Sequence, residues 1–163
     1  MKIALCFSGQ PRFINLMNFD NLIQDHEVKT YGHFWWDDDY RGDMFAWNSD
    51  LKYPDDYDPI HDFEQRMKPK SLSWERYPNF DMSGYKMVSQ MEFPLSHDVV
   101  RKSIYRQKCQ WTSVKRSLDL IDEEFDLVIR MRTDLEFPER VPLEECKGDG
   151  LFMMNGSHQA GAG

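Results

Sequence analysis

Residues 127–137, LVIRMRTDLEF, alternate charged and apolar side chains. Arg130, Arg132, Asp134 and Glu136 occupy every second position, and successive side chains of an extended strand point to opposite faces of its sheet. The pattern therefore predicts a strand that presents two cations followed by two anions on one face.

The two carboxylates of this strand, Asp134 and Glu136, are close enough to bind one divalent cation. Hard cations such as Mn²⁺ or Mg²⁺ take oxygen ligands from one or two carboxylates and complete their shell with water and substrate phosphate. The alternative is that Arg130, Arg132 and the two acids neutralise one another on a solvated face. Exposed ion pairs of that kind contribute only about 0–1 kcal/mol each.

A second segment suited to ligand binding is SGQPR, residues 8–12, which follows the apolar run Ile3–Phe7. Such a run is typical of a strand buried on both faces, and open α/β sheets bind ligands beyond the carboxyl ends of their strands. Gly9 permits close approach of backbone N–H groups to a ligand, and Arg12 offers a planar cationic fork for phosphate. An ordinary turn between a strand and a helix explains the same residues equally well.

The strongest helix signal begins at the capping residues 96–98 and extends through apolar side chains at three-, four- and seven-residue spacing. These residues are Val100, Ile104, Trp111, Val114, Leu118 and Ile121. The polar side of this helix is basic, and Arg106 and Lys115 are candidates to reach a diphosphate. A solvated charged surface is the alternative for both.

The remaining elements predict an α/β fold with a mostly parallel sheet. We expect a helix over 13–25, a second strand over 28–36 and a short edge strand over 68–74. Residues 37–62 predict an irregular loop, 63–67 one helical turn, 78–97 a second irregular segment and 151–158 a last strand. Trp35, Trp36 and Trp47 are candidates for stacking on a sugar or base, or for core packing.

Composition predicts one domain over residues 1–163, since a chain of this length buries about two thirds of its unfolded surface. The excess of 28 acidic over 20 basic residues gives a net charge of −8, which opposes binding to nucleic acid or anionic membranes. Cys6, Cys109 and Cys146 are spaced as free thiols, and no apolar run approaches a membrane span. We therefore expect a cytoplasmic protein.

The order of motifs carries a family resemblance: SGQPR after an N-terminal strand, a long basic helix, then DLVIRMRTDLEF. It resembles the nucleotide-sugar half of a GT-A glycosyltransferase, and more narrowly the short GT-A-like proteins encoded by some cyanobacterial phages and the related lipopolysaccharide-synthesis transferases. The resemblance covers most of residues 1–158. It implies a Rossmann-like α/β/α sandwich and, for a phage-encoded protein, the host cytoplasm.

In that family a DxD motif binds Mn²⁺ or Mg²⁺ and, through the metal, the diphosphate of a UDP-sugar. By position, Asp134 and Glu136 are the motif's two carboxylates, with DLE in place of DxD, and His158 is a candidate third ligand. The resemblance implies that Ser8, Gly9, Gln10 and Arg12 line the nucleotide pocket. Arg12, Arg130 and Arg132 are candidates to contact the diphosphate or to act as structural partners.

The resemblance implies a metal-dependent glycosyltransferase that takes UDP-glucose or a similar donor and passes the sugar to a glycan, a small acceptor or water. Family members usually continue into an acceptor-binding region, so a truncated acceptor region is expected here and no catalytic base is assigned. Three alternatives remain open: a nucleotide-sugar-binding module without transfer, a metal-dependent phosphohydrolase, and a homodimer in which the second copy completes the acceptor side.

Overall fold

The computed structural model describes residues 1–12, 14, 17–40, 55–83, 97–135 and 137–146. Within these ranges, one sheet contains four parallel strands in the order β3-β2-β1-β4. The strands are β1 (Lys2–Gly9), β2 (Glu27–Trp35), β3 (Ser71–Glu75) and β4 (Leu127–Met131). The predicted α/β class and parallel sheet are confirmed, as are the second strand and the edge strand. The last predicted strand, over 151–158, lies outside the described residues.

Helices flank the sheet: α1 (Asp20–Ile23), α2 (Pro59–Met67) and α3 (His97–Asp119), with short 3-10 turns at Asp38–Tyr40 and Leu143–Glu145. The predicted long helix is confirmed as α3, which packs against β1 and β2. Trp111 and Leu118, two of the apolar residues whose spacing predicted the helix, are 68% and 39% exposed. No helix among the described residues is both long enough and apolar enough to cross a bilayer.

The central strand β1 separates two apolar clusters. Ile3, Leu5 and Phe7 point into the larger cluster, where the Phe7 ring meets Phe19 and Phe63 edge to face at centroid distances of 5.2 and 5.1 Å. Ala4 and Cys6 point to the other face, together with Tyr31. Because every residue from Ile3 to Phe7 is fully buried, β1 anchors the domain.

The predicted helix over 13–25 is wrong in extent, because the described helical residues of this segment are Asp20–Ile23. The backbone of Asn18 accepts a hydrogen bond from Phe137 N–H at 3.2 Å, and its side chain accepts one from Asp20 N–H at 3.1 Å. These two hydrogen bonds hold Asn18 in a non-helical conformation just before α1 begins. Ile14, Phe19 and Leu22 are buried, so their spacing indicates core residues without a continuous helix.

The predicted irregular segment 37–62 is wrong at its C-terminal end, where α2 begins at Pro59. Asp58 caps this helix by accepting hydrogen bonds from the N–H groups of Ile60 and His61, both at 3.0 Å. Aspartate is favoured as a helix cap and proline at the first helical position, so the pair Asp58-Pro59 is a sequence signal for the start of a helix.

The charged strand is shorter than its alternating pattern predicted, because β4 ends at Met131. Thr133 follows in a turn, where its hydroxyl accepts the Arg12 N–H at 2.8 Å and lies 3.3 Å from the Gln10 oxygen. These contacts draw the chain toward the loop after β1 and away from extended geometry. Arg132 and Asp134 therefore lie beyond the strand, and Glu136 is outside the described residues.

At the opposite end of the sheet, three lysines converge on one glutamate. Lys2, Lys29 and Lys70 each place Nζ 2.6–2.7 Å from a Glu123 carboxylate oxygen. Hydrogen bonds from these three ammonium groups hold the pKa of Glu123 far below its ordinary value. This lysine hub ties the turn between α3 and β4 to the amino ends of β1 and β2 and to the start of β3.

Gly32 in β2 is packed closely against Leu72 of β3 and Phe63 of α2. A Cβ atom at this position would lie 2.7 Å from Leu72 Cδ1 and 3.2 Å from Phe63 Cε1. We expect Gly32→Ala to lower the free energy of unfolding by about 1–3 kcal/mol, measured by urea denaturation, because overpacking displaces neighbouring side chains.

Two further variants make this test specific. Adding Leu72→Val to Gly32→Ala should restore part of the loss, because valine lacks the clashing Cδ1 atom. Val128→Ala, at a 45% exposed position of β4, should change stability by less than about 0.5 kcal/mol. Wild-type stability for Gly32→Ala alone would contradict the described contact of Gly32 with Leu72.

Candidate functional site

A cavity of about 910 Å³ opens at the carboxyl edge of the sheet. Its described lining comes from the carboxyl ends of the strands, or the residues just after them, and from α3. The lining residues are Ser8, Gly9, Gln10, Arg12, Trp35, Tyr77, Asn79, Phe80, Met82, Arg101, Lys102, Tyr105, Arg106, Cys109, Gln110, Arg130, Arg132 and Asp134. Pockets of 300–1,000 Å³ commonly hold cofactor-sized ligands, so the cavity is a candidate binding site.

Eight of the residues nominated to bind the nucleotide, its diphosphate or a metal line this one cavity. Four of them lie at and just after the end of β1, and the other four are Arg106, Arg130, Arg132 and Asp134. Lys115 is not among the lining residues, since its ammonium group pairs with Asp119 at 2.5 Å on the exposed side of α3. Glu136 and His158 fall outside the described residues. Two segments far apart in sequence thus meet because their strands, β1 and β4, are neighbours in register.

The loop after β1 is held in place at Gly9. Its φ of 111° lies in a region that L side chains rarely adopt, so glycine suits this position. The Gly9 N–H donates to Ser113 Oγ of α3 at 2.8 Å. The helix therefore determines where the loop, and with it Gln10 and Arg12, meets the cavity.

Three arginines at this edge are each held by a neighbouring side chain. Arg130 Nε donates to Ser8 Oγ at 3.2 Å, and Arg12 donates through Nε and Nη2 to Gln10 Oε1, the former at 2.8 Å. Arg132 donates through Nε to Asp134 Oδ1 at 2.8 Å and through Nη2 to Oδ2 at 2.5 Å. These supports orient the guanidinium groups before any ligand arrives.

The described lining is strongly cationic. Asp134 is the one acid among its described residues. The six basic side chains that line it are Arg12, Arg101, Lys102, Arg106, Arg130 and Arg132. Desolvation and the nearby charge of Arg132 lower the pKa of Arg130 from its ordinary value. An anionic ligand would relieve the repulsion between these like charges, although the protein as a whole carries a net charge of −8.

Aromatic side chains form a second wall. Trp35 stacks on Tyr77 with ring centroids 5.7 Å apart, and its indole N–H donates to the Cys109 backbone oxygen at 3.0 Å. Tyr105 donates to the Pro78 oxygen at 2.9 Å and meets Phe80 edge to face. Burial raises the pKa values of both tyrosines, to about 12 for Tyr105, so both phenols are neutral at physiological pH.

The three tryptophans nominated for stacking have different outcomes. Trp35 lines the cavity, Trp36 belongs to the larger apolar cluster, and Trp47 lies outside the described residues. The aromatic partners come from residues 76–83, of which 78–83 belong to the segment predicted to be irregular. No spacing or motif in that segment had marked Tyr77 or Phe80, because their roles arise from contacts with β2 and α3.

The predicted metal ligands are represented by Asp134 alone among the described residues, and both of its carboxylate oxygens are engaged by Arg132. No group of three or more His, Cys, Asp or Glu side chains arranged to hold a metal ion occurs in the described parts of the chain. A single carboxylate occupied by a guanidinium does not fit a divalent cation. The ligand set of Asp134, Glu136 and His158 stays a prediction.

A buried polar chain that sequence reasoning missed braces the cavity from behind. Ser113 Oγ lies 2.9 Å from both Nδ1 and the backbone oxygen of His33, and His33 Nε2 lies 2.9 Å from Glu75 Oε1. Glu75 also pairs with Arg116, whose guanidinium lies 5.5 Å from the centre of the Trp35 ring. His33 is 2% exposed, and no motif or spacing in the sequence marked it as a link to Gly9.

Burial, and then the positive charge of Arg116, lower the pKa of His33 to about 4. The ring is therefore neutral at pH 7. Because a carboxylate only accepts, Nε2–H donates to Glu75 and Nδ1 is an acceptor. The single Ser113 hydroxyl proton therefore has two acceptors at 2.9 Å, Nδ1 and the His33 backbone oxygen. The imidazole thus connects β2, β3 and α3 behind the loop that carries Gly9.

Comparisons with known proteins do not place this chain in a family. No protein-family model, curated protein or solved structure matches it significantly. What the fold and cavity define is an α/β protein with a cationic and aromatic pocket at the carboxyl edge of a parallel sheet.

The His33 chain predicts acid sensitivity. Between pH 6.5, an ordinary unfolded-state histidine pKa, and about 4, the folded protein binds fewer protons at His33 than the unfolded chain does. The stabilisation is complete above pH 6.5 and is lost as the pH falls toward 4. We expect a loss of at most about 3 kcal/mol in the free energy of unfolding over this window, measured by urea denaturation at several pH values.

His33→Gln is the informative variant, with His61→Gln on the exposed side of α2 as its control. His33→Gln should be less stable than wild type at pH 7.5 but should show a flatter pH dependence below pH 6.5. His61→Gln should keep the wild-type slope. An unchanged slope in His33→Gln would show that another group is responsible.

Proposed function

We propose that the protein binds a nucleoside diphosphate sugar, UDP-linked, in this cavity and transfers the sugar, as a glycosyltransferase of the GT-A type. The observation that carries the proposal is the convergence of Arg12, Arg130 and Arg132 beside an aromatic wall at the carboxyl edge of a parallel sheet. The order of sequence motifs that resembles GT-A enzymes agrees with it.

The two walls of the cavity suit the two parts of such a donor. Guanidinium groups bind phosphate oxygens through paired N–H donors, and a UDP-sugar carries two negative charges on its diphosphate. Aromatic rings stack on a base or on the apolar face of a sugar. Tyr77 and Tyr105 supply such rings next to the cationic wall. Trp35 is only 2% exposed and supports this wall by stacking on Tyr77.

Transfer breaks the bond between the anomeric carbon and the diphosphate oxygen, and the bonding electrons leave with that oxygen. An acceptor oxygen forms the new bond to the anomeric carbon and releases its proton to a base or to water. Charge that develops on the leaving diphosphate is stabilised by donors already oriented toward it. The supports of Arg12, Arg130 and Arg132 provide that orientation.

A second candidate is a nucleotide-sugar-binding module without transfer. It is favoured by the state of Asp134, which is the one carboxylate in the described lining and is paired with Arg132. A carboxylate held in this way is a poor proton acceptor for an incoming hydroxyl. Binding and turnover must therefore be measured separately.

We expect UDP and UDP-glucose to bind the full chain in isothermal titration, and Arg130→Gln to weaken both by about 10-fold or more because a charged phosphate contact is lost. Arg140→Gln is the matched control, since Arg140 is exposed and pairs with Glu144 away from the cavity. Equal affinities for the two variants would reject the cavity as the nucleotide site.

Turnover then separates the functional classes. Release of UDP from UDP-glucose, faster with an added glycan acceptor than in water alone, is the outcome that a transferase predicts. An intact bound donor supports the binding module. Release of inorganic phosphate from UDP would replace transfer with phosphohydrolase activity.

A further inference from the structure

We propose that the diphosphate is bound by an arginine clamp, Arg12, Arg130 and Arg132, without a divalent cation, and that Asp134 positions Arg132 instead of ligating a metal. The inference rests on the proposed function and specifies how the same site recognises its anion. It opposes the prediction of a Mn²⁺ or Mg²⁺ site at Asp134, so one set of measurements decides between them.

Asp134 is already engaged by Arg132. Its two oxygens accept from two different nitrogens of Arg132, at 2.8 and 2.5 Å, in a bidentate pair. The Asp134 side chain is only 19% exposed, so the pair is partly shielded from water. A metal ion would have to displace the guanidinium from both oxygens. Planar pairs of this kind are among the stronger charge-assisted hydrogen bonds.

Arg12 and Arg132 are held in the same way. Each donates through Nε and Nη2 to one neighbour, Gln10 for Arg12 and Asp134 for Arg132. This arrangement occupies one edge of the planar fork. The remaining N–H groups, including both on Nη1, are not taken by another described residue and are available to an anion.

The two segments that carry these arginines are joined by hydrogen bonds. Arg130 pairs in register with Cys6 of β1, and its Nε reaches Ser8 two residues further along that strand. Thr133 bonds to the backbones of Gln10 and Arg12. Both segments of the clamp are thereby joined at the cavity, so Arg12 and Arg132 cannot move apart independently.

The charge of the described lining favours an anion over a cation. Six basic side chains and one acid line the described part of the cavity, so a divalent cation would add two positive charges where positive charge already predominates. A diphosphate has the opposite effect, because it reduces the repulsion among the guanidinium groups. In a metal-dependent site the cation neutralises the leaving group. Here the three arginines of the clamp can neutralise it.

The test titrates UDP, and separately inorganic pyrophosphate, into the full chain in EDTA, in MnCl₂ and in MgCl₂. We expect affinities for UDP within about 3-fold of one another in the three buffers. Arg12→Gln and Arg132→Gln should each weaken UDP by about 10-fold or more, and by the same factor with and without metal. Arg140→Gln should retain wild-type affinity throughout.

Asp134→Asn distinguishes a positioning residue from a metal ligand. If the arginine clamp binds the diphosphate without a metal, Asp134→Asn should show the same ratio of UDP affinities in MnCl₂ and EDTA as the wild type, because no metal contact is lost. Asp119→Asn, which disrupts an exposed ion pair with Lys115 on α3, is the matched control. Circular dichroism and thermal unfolding confirm that each variant is folded.

Each outcome decides the clamp and the proposed function separately. UDP binding that requires Mn²⁺ or Mg²⁺, and loses that requirement or all affinity in Asp134→Asn, would overturn the clamp and leave the nucleotide-sugar function standing. Pyrophosphate binding in EDTA without UDP binding would support the clamp and reject the nucleotide. Absence of binding by both ligands in every buffer would reject both.

Discussion

The parallel direction of the described strands is the constraint on which the rest of the molecule depends. Since β1 pairs in parallel with both β2 and β4, the chain must leave all of these strands at the same edge. Each departing segment brings its own chemistry: Ser8–Arg12 at and beyond the end of β1, Trp35 at the end of β2, and Arg132–Asp134 after β4. One geometric rule thereby assembles a cavity from residues more than 120 positions apart.

Small side chains let α3 approach that sheet closely. Ala4 and Cys6 of β1 face the helix side, and Cys109, Ser113 and Ser117 are buried residues of α3. At this short range the Ser113 hydroxyl reaches both Gly9 and His33. The polar chain behind the cavity is therefore a consequence of close helix packing, and it holds the loop that presents Arg12.

Sequence reasoning succeeded where a pattern reflects local physics. The apolar run Ile3–Phe7 and the spacing within α3 predicted their elements, and the loop after β1 and the arginines near β4 were correctly placed at one edge. It failed where a residue distant in sequence determines the local conformation. Asn18 accepts a hydrogen bond from Phe137, and Thr133 accepts one from Arg12 just beyond the end of β4. The orientation of α3 was equally hidden, since Trp111 is 68% exposed while serines face the sheet.

The lysine hub and the arginine-lined cavity lie at opposite ends of the same strands. Lysine charges at the amino end are compensated by Glu123 and Asp122, whereas basic side chains outnumber acids in the described lining at the carboxyl end. The sheet thus has an electrostatic polarity that the net charge of −8 conceals. Beyond a Debye length of about 8 Å in physiological salt, a small anion experiences little of the local field. Attraction begins only near the mouth, so capture should slow as ionic strength rises.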